Sequence, residues 1–309
     1  MSEKATTAVG KERRASQPAN PSRQVARDNL VPLSGGLFDL VELLAVRQLG
    51  QWIDWRLTMN LDVIAQAYFP ILKDLEQHFL DRTREAESEF AKLSGLFLPS
   101  VPQGFTSAKH RIMVVGRETK GWTIIGKNEQ FTSLDAYVDI ALNKHRDYLA
   151  DNLPKSRDKG ESFFNLMRSV SRHYGSDGLI WANLFCASWK RNSPLKSPQF
   201  ATIQKYSELL LKKQIELFQP QTIIFANGTS SAQYRRAFFP TEGEASVCSE
   251  FSGYEAHGFS RAQLLRFQLN GSIQCYRIQH PSSRSKEARA ARYHLVNEIL
   301  AKQPEPVLA

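Results

Sequence analysis

Four short apolar runs in this chain each stop at residues that can do chemistry. The first, RIMVVG from Arg111 to Gly116, leads into Arg117-Glu118-Thr119-Lys120-Gly121-Trp122. The second, LIWANL from Leu179 to Leu184, carries Asn183 near its end. The third, TIIFAN from Thr222 to Asn227, continues into Gly228-Thr229; the fourth, IQCYRIQ from Ile273 to Gln279, runs into His280-Pro281-Ser282-Ser283-Arg284-Ser285. A carboxylate can take a proton from water or stabilise a nearby cation, an amide offers both a donor and an acceptor, and a histidine can do either near neutral pH. Taken singly, each has an ordinary structural use. Glu118 in a loop is a solvated carboxylate beside Arg117 or Lys120, Asn183 satisfies backbone groups, His280 braces a turn, and Ser282 or Ser283 caps the final helix. Together, at the ends of four strands, they make a candidate site.

The elements between these runs say how the site would be assembled. Helical segments are expected at about 133–150, 161–174, 201–218, 229–238 and 285–302, while 240–260 has no clear period and reads as loop. Buried apolar strands alternating with helices predict an α/β fold, a three-layer α/β/α sandwich with a central, mainly parallel four-stranded sheet. In such sheets ligands bind beyond the carboxyl ends of the strands. Upstream, residues 1–35 are rich in Ser, Ala, Pro, Arg and Lys and read as a disordered basic leader. Residues 36–98 read as a helical extension: a first helix from Leu37 through Trp52 and Trp55, a second from about Leu61 to Leu80 kinked or broken at Pro70, and a charged third from Asp81 to Leu93. The main domain is expected to span 99–303, with 304–309 as a tail.

The formal net charge of +9 favours a polyanionic partner. No apolar run approaches the roughly 20 residues of a membrane helix, and the N-terminus lacks a secretory apolar stretch, which points to an intracellular, cytoplasmic protein. Cys186, Cys248 and Cys275 are the 3 cysteines; they are far apart, short of the four thiolates of an iron–sulfur cluster, and read as packing residues. The phosphate-binding pattern G-x-x-x-x-G-K-[ST] fails because Trp122 follows Gly121, and neither G-x-G-x-x-G nor the G-x-S-x-G elbow is present.

VVGRETKGW, GLIWANLF and IQHPSSRS, in that order and each on an expected strand end, resemble the three motifs of the uracil-DNA glycosylase superfamily. The match covers about residues 110–300, includes the family's Gly-to-Asn spacing from Gly178 to Asn183, and leaves 1–98 outside. Families carrying an iron–sulfur cluster fit poorly because the cysteine set is missing. The resemblance implies a DNA partner and hydrolysis of the N-glycosidic bond of a flipped-out pyrimidine, leaving an abasic site, with no metal or organic cofactor. It places Glu118 where a residue positions water and supports the oxocarbenium sugar. Asn183 takes the place of the base-reading amide, and His280 that of the donor to the base carbonyl. Ser282, with Ser283 beside it, would hold a flanking phosphate, and Arg284 sits where relatives insert a wedge. Trp122, or else Phe131, would stack on the base.

Three positions depart from the family pattern. Glu118 is one methylene longer than Asp, Thr119 replaces a proline and loosens the turn, and Lys120 stands where uracil-selective relatives carry a tyrosine that excludes a C5 substituent. A flexible lysine need not exclude that group, so the expected base is uracil or a larger 5-substituted pyrimidine, as in modified phage DNA. Lys190, Arg191 and Lys196 after the second strand could contact phosphates. Two other classes fit the same residues: a DNA-binding protein that kept the scaffold without the chemistry, and an α/β hydrolase of other specificity.

Overall fold

The computed structural model describes residues 59–75, 79–80, 89–126 and 131–302. The expected leader, the helix over 37–57, most of the charged helix from Asp81 and the C-terminal tail lie outside these residues.

Asn60 caps the first described helix, α1 (Leu61–Leu72), by accepting from the Val63 amide at 3.0 Å. Pro70 lies inside this helix, which ends two residues later rather than at Leu80. Proline has no N–H to donate and crowds the preceding turn, yet the helix runs through it, with Lys73 N donating to Phe69 O at 2.9 Å at its end. Phe90–Lys92 is a single 3-10 turn. Then come β1 (Ile112–Gly116), α2 (Leu134–Asn152), α3 (Ser162–Tyr174) and β2 (Leu179–Asn183). The order continues with α4 (Phe200–Phe218), β3 (Thr222–Phe225) and α5 (Ala232–Phe238), the last preceded by a 3-10 turn at Thr229–Ser231. The chain then forms β4 (Cys248–Gly253), β5 (Leu264–Leu269), β6 (Ile273–Ile278) and α6 (Lys286–His294).

The protein is α/β, as expected, but the sheet is mixed and six-stranded, in the order β2-β1-β3-β6-β5-β4. The four anticipated runs are the parallel strands β2, β1, β3 and β6; β5 and β4 extend the sheet antiparallel from β6. Two strands were therefore missing from the sequence expectation, and 240–260 is not all loop. β4, CSEFSG, is an edge strand with only Cys248 buried, a register shift between Ser249 and Ser252, and Glu250 at φ +51°. It needs no apolar face, so it leaves no alternation to read. The parallel strands β1, β2 and β3 are buried at every position, which is why their sequences are unbroken apolar runs. Each fully buried Val or Ile there contributes about 1.5–3 kcal/mol through burial.

The helix expected over 285–302 is regular only as α6, passing into a π turn at Leu295–Ile299 and a 3-10 turn at Leu300–Lys302. Its N-cap is Ser285, which accepts from Ala288 N, leaving Ser282 and Ser283 without that role.

The boundary expected at 98/99 does not separate two cores. The described residues all fall within one compact unit. Within it, Ile64, Tyr68, Leu72, Leu93 and Leu96 are buried in the same apolar cluster as the sheet, α1 packs on α2 and α4, and the Tyr68 hydroxyl donates to the Pro99 carbonyl at 2.8 Å.

Behind β2 an aromatic cluster encloses His145, which is 0% exposed. Its Nδ1 accepts from the Ser100 amide at 3.1 Å, so Nε2 carries the proton, 3.1 Å from the Trp181 carbonyl. Burial holds its pKa down at about 3. Below pH 6.5 the unfolded chain binds a proton that the folded chain refuses down to about 3, so stability present above 6.5 is lost as pH falls through that window. Going from pH 6.5 to 5 should cost about 2 kcal/mol from this residue. Urea denaturation across that range should show it, with a shallower slope in His145→Asn; equal slopes would remove His145 as the cause.

Candidate functional site at the strand ends

Gly116 and Asn183 are register partners on the adjacent strands β1 and β2, so they end level. The ladder continues past them, with Leu184 N donating to Gly116 O at 2.9 Å and Phe185 N to Arg117 O at 2.8 Å. This pairing fixes the start of the loop carrying Glu118. Asn183 is buried, and its Nδ2 donates to Thr119 Oγ1 at 2.5 Å. Its Oδ1 lies across Gly116, 2.5 Å from where a Cβ on that residue would stand. Glycine is required there by space: any side chain would displace the amide. Thr119 therefore anchors the amide rather than merely loosening the turn.

Glu118 is in the same loop, its side chain 3% exposed, in a two-pronged pair with Arg117 (Nε–Oε2 2.6 Å, Nη2–Oε1 2.8 Å). That fork fixes the plane of the carboxylate. On the far side of β3, His280 follows β6. Gly228, at φ +76°, backs directly onto it: a Cβ there would stand 3.3 Å from His280 Cβ and N. Between these edges sits Asn227, 1% exposed, with neither side-chain polar atom hydrogen-bonded among the described residues.

His280 is half-buried and held by its own turn. Ser282 N donates to Nδ1 at 3.2 Å, Ser282 Oγ lies 2.7 Å from the same atom, and Ser283 N donates to the His280 carbonyl at 2.8 Å. A backbone amide can only donate, so Nδ1 is the acceptor and Nε2 carries the proton. Burial pushes the His280 pKa down, and the cations of Arg117, Lys120 and Arg292 push it the same way against the opposing pull of Glu118. The imidazole is therefore neutral at pH 7, with a fixed Nε2–H donor.

Of the other expected site residues, Ser282, Lys120 and Arg284 are exposed and Ser283 is half-buried, with its carbonyl accepting from Arg292 at 3.4 Å. Trp122 is not a stacking platform. It is 4% exposed and packed among Phe97, Tyr148 and Trp181 at 5.3–5.8 Å between ring centres. The chain turns inward at Gly121 (φ +66°), where the Arg191 guanidinium packs against the backbone, and carries the indole into the core. Phe131 packs on Tyr137 at 6.3 Å. The aromatic that does reach the strand ends is Phe163, in the first turn of α3, with ring carbons 3.1 and 3.4 Å from the Gly116 Cβ position. The pair Phe163-Phe164 held the only hint: Phe164 is buried and serves the core, which leaves its neighbour for another surface.

All three cysteines are free and buried, and burial raises their thiol pKa values, that of Cys186 to about 11. Among the described residues no helix is long and apolar enough to cross a membrane. No protein-family model matches the chain, and no curated protein matches it.

Proposed function

We propose that this protein is a DNA glycosylase of the uracil-DNA glycosylase type, releasing a flipped pyrimidine. The observation that carries the reading is the Nε2–H of His280, fixed by Ser282 just past the carboxyl end of a parallel strand, in the sheet whose neighbouring strand ends also carry Asn183 and the Glu118 loop. Breaking the bond between the base nitrogen and C1′ leaves the electron pair on the base and positive charge on the sugar. His280 Nε2–H would stabilise the growing negative charge on a base carbonyl oxygen, and a preorganised donor of this kind contributes about 3–4 kcal/mol. Glu118 would face the cationic sugar and orient the water that adds at C1′, the water's proton passing to the carboxylate or solvent. Asn183 would read the base edge with Oδ1 and the Nδ2 hydrogen not held by Thr119, and Phe163 would stack on the ring. The products are a free base and an abasic site.

Lys120 is exposed at the position that would meet a C5 substituent. The substrate proposed is therefore uracil or a 5-substituted pyrimidine, the latter fitting defence against phage with modified DNA. Release of uracil, 5-hydroxymethylcytosine and glucosylated cytosine from defined duplexes is the deciding assay. Alkali-labile sites in any of these support the chemistry. Release of uracil alone removes the enlarged pocket, and release of none removes the glycosylase. One observation favours a DNA-binding protein without chemistry: the Arg117–Glu118 fork already neutralises the carboxylate. That protein would shift the same duplexes without forming abasic sites.

A further inference from the structure

We propose that the cleft between α5 and the antiparallel half of the sheet is a binding site for a phosphate group, built around Arg235. The cleft holds about 710 Å³ and is lined by Arg235, Arg236, Arg261 and Arg277, with Glu242 as its single carboxylate. Arg235 is 3% exposed, and its Nε and Nη1 have no hydrogen-bond partner among the described residues. The guanidinium lies over the rings of Phe225 and Phe267, 5.6 and 5.0 Å from their centres. Stacking explains how it packs, but not why two further arginines stand beside it. Arg235, Arg236 and Arg277 have no carboxylate within ion-pair distance among the described residues, and they oppose one another's charge. Arg261 pairs with Glu255 at 3.3 Å, but the buried Arg235 and Arg277 and the exposed Arg236 gather without a counter-ion, which is costly for the two buried guanidiniums unless an anion joins them.

The arrangement is fixed rather than incidental. Arg277 donates through Nη1 to the Ala262 carbonyl at 2.6 Å and through Nη2 to the Arg261 carbonyl, holding the segment that carries Arg261. Planar donor forks of this kind match phosphate oxygens. Phe251, exposed and stacked on Phe267 at 5.6 Å, adds an apolar ring to the lining, which suits a phosphate ester carrying a base better than a bare ion. The cleft adjoins the strand-end site, because Gln279 donates to the same Ala262 carbonyl at 2.8 Å and immediately precedes His280. The phosphate could thus belong to DNA passing that site, which would rest on the glycosylase reading, or to a free nucleotide, which would not.

The test uses the full chain and an Arg236→Gln/Arg261→Gln double variant, whose replaced side chains are exposed. Pyrophosphate, compared with sodium chloride at equal ionic strength, should raise the thermal midpoint of the wild type. The double variant should bind it about 10-fold more weakly or worse. An unmodified duplex then separates the sources. If the slope of log affinity against log salt falls by about 1–2 in the variant, the phosphate is that of DNA. If pyrophosphate binding is lost while the slope is unchanged, it is that of a free ligand. No stabilisation by pyrophosphate, or equal stabilisation of both proteins, overturns the site. None of these readouts needs base release, so a failed glycosylase assay leaves this result intact.

Discussion

Replacing His280 by alanine is expected to lower base release by about 10²–10³-fold while DNA affinity is nearly unchanged. The argument rests on what the imidazole is in the folded protein. Ser282 supplies both a backbone N–H and a hydroxyl to Nδ1, so the ring presents Nε2–H and cannot present the other tautomer without losing the backbone bond. The pKa lies below 6.5, lowered first by burial and then by Arg117, Lys120 and Arg292. A neutral donor already in place costs no deprotonation at pH 7, so wild-type release should show no inflection between pH 6.5 and 8 from this residue. Ser282→Ala keeps the backbone donor and should cost less, about 10-fold. Glu118→Gln keeps the shape but removes the anion facing the sugar, and it should also abolish most release while the duplex still binds. Single-turnover release and a binding titration on the same duplex check both halves. Loss of binding in parallel with release would assign His280 to holding DNA, and unchanged release in both variants would remove the proposed active site.

What the sequence disclosed and what it hid divide along physical lines. Strands covered on both faces must be apolar throughout, and β1, β2 and β3 were legible for that reason. The antiparallel strands β4 and β5 are only partly covered and carry no such demand. β4 bends at Glu250 and shows solvent most of its length, so nothing in CSEFSG distinguishes it from loop. At the site, chain order was enough to place Gly116, Asn183 and His280 together, because parallel strands all deliver their carboxyl ends to one edge. It was not enough to choose the aromatic. Trp122 is close along the chain but is turned into the core after Gly121, whereas Phe163 arrives from a helix remote in sequence. Thr119 was legible as a departure from a proline pattern, but its hydrogen bond to Asn183 depends on register that only the folded sheet supplies.

That register makes Gly116 the second position of large effect. Gly116→Ala is expected to lower base release about 10²-fold and to destabilise the protein by about 1–3 kcal/mol. The new Cβ would stand 2.5 Å from Asn183 Oδ1, closer than any relaxed contact, and 3.1 Å from a Phe163 ring carbon, tighter than most. Something must move. Asn183 is held by Thr119 on one side, and Phe163 is wedged against Phe164 and Trp181, so the amide and the ring would be displaced together. Both are groups proposed to contact the base, and a displacement near 1 Å is enough to misalign a reacting pair. A double-mutant cycle isolates the cause. In an Asn183→Ala background the oxygen is gone, so adding Gly116→Ala should cost less stability than it does alone, with a coupling of about 0.5–3 kcal/mol. Additive effects would mean that the glycine serves the Phe163 contact or the backbone rather than the amide. Full activity in Gly116→Ala would mean that Asn183 does not read the base from this position.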